Sequence, residues 1–163
     1  MNKRVLFVRA SSSRPEKDEC FQAENRIAKQ LATKFNLESS FNLGYEHVNR
    51  ITFSIQNEAE SFRALITHVP PNQGIEARPR EGWETRREYY SRCYVSSLKI
   101  LEQIKKIDPS ITIIAYSGIN RIPEVEDILV TEGPIAEIVS KSHPDKWEKD
   151  FEALKNALER YVR

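Results

Sequence analysis

The six consecutive residues Ile111 to Tyr116 (ITIIAY) constrain this chain more than any other segment. An unbroken apolar run without polar alternation predicts a strand covered on both faces, and sheets covered on both faces are parallel ones flanked by helices. The rest of the chain reads accordingly. Arg4 to Arg9 (RVLFVR), Ile51 to Ile55 (ITFSI), Ala64 to Val69 and Ile135 to Val139 are the other predicted strands. Between them fall helical patterns. The first runs from about Pro15 or Asp18 to Phe35, with Cys20, Ala23, Ile27, Leu31 and Phe35 on one face. A long helix from Thr85 to Ile107 carries the stripe Tyr90, Tyr94, Leu98, Leu101 and Ile104, and stops at Asp108 and Pro109. Gln56 to Phe62 suggests a short helix. Another starts at Pro123 and runs to about Thr131, with Glu124, Glu126 and Asp127 at its positive end. The last opens on Ser142, His143, Pro144 and Asp145 and carries Trp147, Phe151, Leu154, Leu158 and Tyr161. The stretch NLESSFNLGYEHVNR has no clear period and receives no assignment.

With 163 residues the expectation is a single domain over 1–163. Hydrophobic residues make up 39% and charged residues 30%, the balance of a soluble globular chain. No apolar run approaches the roughly 20 residues of a membrane span, and the apolar run after the basic start is shorter than a leader's. A formal net charge of +1 gives no general reason to expect nucleic acid or acidic lipid as a partner. Cys20 and Cys93 lack metal-ligand spacing, which predicts reduced core thiols in a cytoplasmic protein.

From Ile111 onward the order ITIIAYSG, a short acidic helix, EGPIAEIVSK, SHPDKW and an amphipathic helix resembles the receiver domains of two-component response regulators. The resemblance implies an α/β fold, a single doubly wound five-stranded parallel sheet of the flavodoxin type with strand order 2-1-3-4-5. It matches Ser117, ending the fourth strand, to the family's conserved hydroxyl, and Lys141, after the fifth, to its conserved lysine. The double proline after Val69 resembles the turn that follows the phosphoacceptor aspartate. The acidic positions differ. Arg9 and Ala10 stand where the family has its magnesium-binding acidic pair, and Thr67, or His68 in a register one residue later, stands where it has the phosphoacceptor. Magnesium sites need carboxylates beside phosphate oxygens, and a threonine without a base is a weak nucleophile. The expectation is a degenerate, phosphorylation-independent receiver that acts as a signalling or interaction module and is not an enzyme.

The positive charges of Arg9 and Lys141 need an offset, since two cations about 4 Å apart repel by roughly 4 kcal/mol at an effective dielectric of 20. Glu16, Asp18 or Glu19 could fold back as an internal salt bridge. Alternatively an anion binds at Ser11, Ser12, Ser13, Arg9 and Lys141. The three serines lack the glycines of a phosphate cradle, so a solvated helix-entry loop is the plainer reading.

Other patterns weigh toward structure. Residues 76–92 mix five arginines with four glutamates and three aromatics, including Trp83, which is no basic platform for nucleic acid. The i, i+4 spacing there pairs Arg92 with Glu88. His47, His68 and His143 have no metal-ligand spacing, and no cofactor or metal is expected. Ser117, His68 and Asp108 make a triad only on paper, without a nucleophile elbow. Receivers commonly use the face of the penultimate helix, fifth strand and last helix for a protein partner or self-association. Here that is Ile122 to Thr131, including Val125 and Asp127, with Trp147 to Tyr161; Trp83 is a further partner candidate. With no output domain after Arg163, output is expected through a partner or self-association. The rival reading is a small flavodoxin-like enzyme or binding protein with Ser11 to Ser13, Thr67, Ser117 and Lys141 around a phosphorylated ligand.

Overall fold

The computed structural model of the chain describes residues 4–70, 80–118, 130–131 and 133–162. Five strands form one parallel sheet: β1 (Arg4–Arg9), β2 (Asn36–Phe41), β3 (Ala64–Thr67), β4 (Thr112–Ser117) and β5 (Glu137–Ser140). Their order is β2-β1-β3-β4-β5, the doubly wound flavodoxin-like arrangement, with every neighbouring pair parallel. Among the described residues four α-helices flank it: α1 (Glu19–Ala32), α2 (Tyr45–Ser54), α3 (Arg86–Ile107) and α4 (Trp147–Tyr161).

Strand alternation divides the core in two. Val5, Phe7, Ala64, Ile66 and Ile114 pack with Ile27 and Leu31 of α1 and with Leu154 and Leu158 of α4. Leu6, Val8, Leu65 and Ile113 pack with Val48 and Ile51 of α2 and with Leu101 and Ile104 of α3. Central strands buried on both sides explain the unbroken apolar runs in β3 and β4. The helix ends carry expected caps: Asp18 Oδ1 accepts from the Phe21 N–H at 2.9 Å, and Thr85 Oγ1 from the Glu88 N–H at 3.1 Å.

The second strand lies where no assignment was made. Asn36–Phe41 reads NLESSF, a polar edge strand bonded on one side to β1, so it needs no apolar run. Ile51 to Ile55, expected as a strand from its period-two pattern, is helical. His47, Val48, Ile51 and Ser54 form the buried face of α2, while Phe53 and Ile55 point outward at 65% and 39% exposure. Burial at helical spacing overrides the alternation. Gln56 to Phe62 reduces to a 3-10 turn at Glu58–Glu60. Cys93 is buried, whereas Cys20, expected in the core, is exposed at the start of α1. Arg92 pairs with Glu84 at 3.0 Å rather than with Glu88, which instead takes a hydrogen bond from the Thr85 hydroxyl at 2.9 Å. The short helix expected from Pro123 to Thr131 falls almost wholly outside the described residues.

Candidate functional site

The carboxyl ends of the strands assemble most of the residues singled out from the sequence. Arg9 ends β1, Thr67 ends β3 and Ser117 ends β4, while Ala10, His68 and Lys141 are the next residues along their strands. Backbone bonds extend the ladder to this edge: the His68 N–H donates to the Val8 carbonyl and the Lys141 N–H to the Ser117 carbonyl, both at 3.2 Å. Thr67 lies between Val8 and Ala115 and is wholly buried, its hydroxyl donating to the His68 carbonyl at 2.7 Å. Ser117 is buried and Ala10 exposed. Asp108 precedes β4 at the opposite edge from Ser117, so the paper triad does not converge.

Arg9 is only 5% exposed. Its guanidinium carbon lies 4.9 Å from the Phe41 ring centre, 5.2 Å from Phe21 and 5.9 Å from Phe7. Phe21 and Phe41 stack on each other with centres 6.0 Å apart, which makes an aromatic enclosure of residues from β1, α1 and β2. Such faces stabilise a cation but accept no strong hydrogen bond. The Arg9 Nε and Nη1 atoms are buried without a hydrogen-bond partner. Burial lowers the Arg9 pKa, against an opposing pull from Glu24.

Glu24 supplies the negative charge on this face. Its Oε1 lies 3.6 Å from Lys141 Nζ, and the ammonium also sits 5.1 Å from the Tyr116 ring centre. Burial raises the Glu24 pKa, and the attraction of Lys141 and Arg9 offsets this in part. The loop acids do other work: Glu16 and Glu19 are exposed, and Asp18 caps α1, its pKa lowered chiefly by the Phe21 N–H. Sequence reading missed Glu24, although Cys20, Glu24, Ile27 and Leu31 share one helical stripe; an acid inside an apolar stripe was the available signal. Asp150 on α4 repeats the pattern. It is 3% exposed, and its Oδ2 accepts from the Tyr116 hydroxyl at 2.6 Å and the Ser142 N–H at 3.0 Å.

Two histidines fasten the loop between β2 and α2. His68 Nε2 accepts from the Leu43 N–H at 3.3 Å, and His47 Nδ1 accepts from the Gly44 N–H at 3.1 Å. Both pKa values are lowered with burial as the leading cause, that of His68 to about 4 with Lys141 and His47 adding to it. Asn42, held at φ 56°, takes the Ser11 N–H on its Oδ1 at 3.0 Å and donates to the Ser11 hydroxyl at 2.9 Å. Ser12 Oγ accepts from the Arg14 N–H at 3.2 Å, and Ser13 is exposed. Trp83 is 74% exposed in the connection from β3 to α3. Ile122, Val125 and Asp127 lie outside the described residues. Among the described residues no helix is long and apolar enough to cross a membrane.

No protein-family model matches the sequence, and no curated protein matches it either. Solved structures do. A CheY-like response regulator receiver domain protein from Methanospirillum hungatei aligns over 98% of this chain and 98% of its own, at 14% identity and a TM-score of 0.50. The response regulator DrrB from Thermotoga maritima aligns over 98% of this chain and 54% of its own, at 15% identity and a TM-score of 0.52. A pilus assembly-related protein from Burkholderia pseudomallei aligns over 99% and 93%, at 9% identity and a TM-score of 0.50. At such identities the likeness concerns the fold: the chain has the five-stranded, flavodoxin-like architecture of response-regulator receivers.

Proposed function

We propose that this chain is a receiver-like signalling module that works without phosphoryl transfer and acts through contact with a protein partner or a second copy of itself. One observation carries the reading: a buried cation, Arg9, occupies the strand end where receivers hold magnesium with carboxylates. A divalent cation beside a buried guanidinium is repelled, and the exposed Ala10 offers no ligand.

The nucleophile positions support the same reading. The Thr67 hydroxyl is wholly buried and committed to a carbonyl, out of reach of a phosphohistidine. His68 has its Nε2 lone pair engaged by the Leu43 N–H, so attack from that nitrogen would first break the loop contact. Lys141, which would otherwise meet a phosphoryl oxygen, faces the Glu24 carboxylate. The strand-end pocket then serves as a fixed support for an interaction surface, for which we put forward β5 and α4 together with 122–131.

The test is labelling with radioactive acetyl phosphate and magnesium. The expected result is no stoichiometric incorporation. A stoichiometric, magnesium-dependent label that disappears in Thr67→Ala or His68→Ala would contradict the proposal.

A further inference from the structure

We infer that Arg9 anchors a non-covalent oxyanion site at the carboxyl end of β1, with Lys141 as the second cation across Glu24. The ligand class is a small phosphate or carboxylate head group. The inference rests on the phosphorylation-independent reading of the pocket and names what that pocket would sense.

The starting observation is the orphaned Arg9 guanidinium: 5% exposed, with Nε and Nη1 buried and unbonded. Buried donors are almost always satisfied, and a buried charged donor without an acceptor is costly. The surrounding rings of Phe7, Phe21 and Phe41 stabilise the charge without accepting its hydrogens. Glu24, the carboxylate that acts on Arg9, makes its ion pair with Lys141 instead. One buried carboxylate thus serves two cations, and the N–H groups left over match oxygen acceptors in type and in planar geometry. The enclosure is close to solvent: Phe41 is 39% exposed, and Ala10 and Ser11, directly after β1, are exposed. The polarity is opposite to a magnesium pocket.

The experiment is a thermal-denaturation series on the full chain at neutral pH with sodium phosphate, sodium benzoate, and sodium chloride matched for ionic strength. At ten times the dissociation constant, either oxyanion is expected to raise Tm by about 3–6 °C over chloride. A response to phosphate alone identifies a phosphate head group, and a response to benzoate alone a carboxylate. Arg9→Met is expected to abolish the shift. Glu24→Gln removes a competing negative charge and is expected to tighten binding about tenfold. Should Arg9→Met fail to fold, Glu24→Gln together with wild type decides the matter. Equal Tm in all three salts for wild type, with no gain in Glu24→Gln, would overturn the inference and leave the labelling result untouched. Conversely, a covalent label from acetyl phosphate would sink the proposed function without altering a shift measured with inorganic phosphate.

Discussion

His68 makes the stability of this protein depend on pH in a direction that geometry dictates. Its Nε2 accepts the Leu43 N–H at 3.3 Å, which a protonated ring cannot do. Burial, then Lys141, then His47 hold its pKa down, from 6.5 to about 4. The folded state therefore binds fewer protons than the unfolded state between those values. The stabilisation is complete above about pH 6.5 and is lost as pH falls toward 4. A tenfold change in proton affinity is worth about 1.4 kcal/mol, so the full effect would be about 3 kcal/mol; partial solvent access to the ring reduces it to about 2 kcal/mol. His47, also lowered by burial, acts in the same direction, whereas Glu24, with a raised pKa, acts in the opposite one. Subtracting a variant isolates His68. His68→Gln keeps an acceptor but cannot take up a proton in this range. Urea unfolding, followed by the fluorescence of the partly buried Trp147, gives the free energy for both proteins at pH 7 and pH 4. Wild type is expected to lose about 2 kcal/mol more than His68→Gln over that interval. Equal losses in the two proteins, or an imidazole titration near 6.5 by NMR, would refute the reasoning.

Three further outcomes follow from single contacts. Lys141→Met leaves the Glu24 carboxylate buried and without its ion-pair partner, so urea unfolding at neutral pH should show about 2–3 kcal/mol of lost stability, recovered in part by adding Glu24→Gln. Tyr116→Phe removes one of the two donors to Asp150 Oδ2 and is expected to cost about 1–2 kcal/mol in the same assay, with the midpoint moving and the slope unchanged. Asn42→Ala forfeits the side-chain hydrogen bonds to Ser11 and forces a Cβ-bearing residue without a local hydrogen bond to hold φ 56°; a fall in Tm is expected, with faster amide exchange at Ser11.

How much of the fold was legible depended on where each segment lies in the sheet. β1, β3 and β4 are central, buried on both faces, and announce themselves by apolar runs. α3 was readable end to end, because Thr85 caps it and Asp108 ends it. β2 was not. An edge strand with half-exposed residues needs only backbone pairing to β1, and NLESSF carries no pattern that side chains alone would impose. The same ambiguity misassigned ITFSI, where alternation and helical spacing coexist over five residues and only the neighbouring His47 and Val48 break the tie.

The site was legible as positions and not as charges. Arg9, Thr67, His68 and Lys141 could be placed at strand ends from element order, but electrostatic balance depends on which distant side chain reaches them. A first-loop acid, close in sequence to Arg9, was the natural candidate to offset Arg9 and Lys141, yet Asp18 caps the α1 N-terminus, where it accepts a backbone N–H. Glu24 lies on the face of α1 that packs on the sheet, so the fold carries its carboxylate toward Lys141 whether or not the loop folds back. The same logic applies to Asp150 and His47, each a polar group within a buried helical stripe and each bonded across to a neighbouring element. A buried polar residue is tolerated only with a partner, so an isolated acid or histidine in an apolar stripe predicts a contact before the contact can be named. Arg9 breaks that rule within its own structure: three ring centres lie within about 6 Å of its guanidinium carbon while its buried Nε and Nη1 have no acceptor, and the sequence alone, which shows only a basic residue ending an apolar strand, gives no hint of that imbalance.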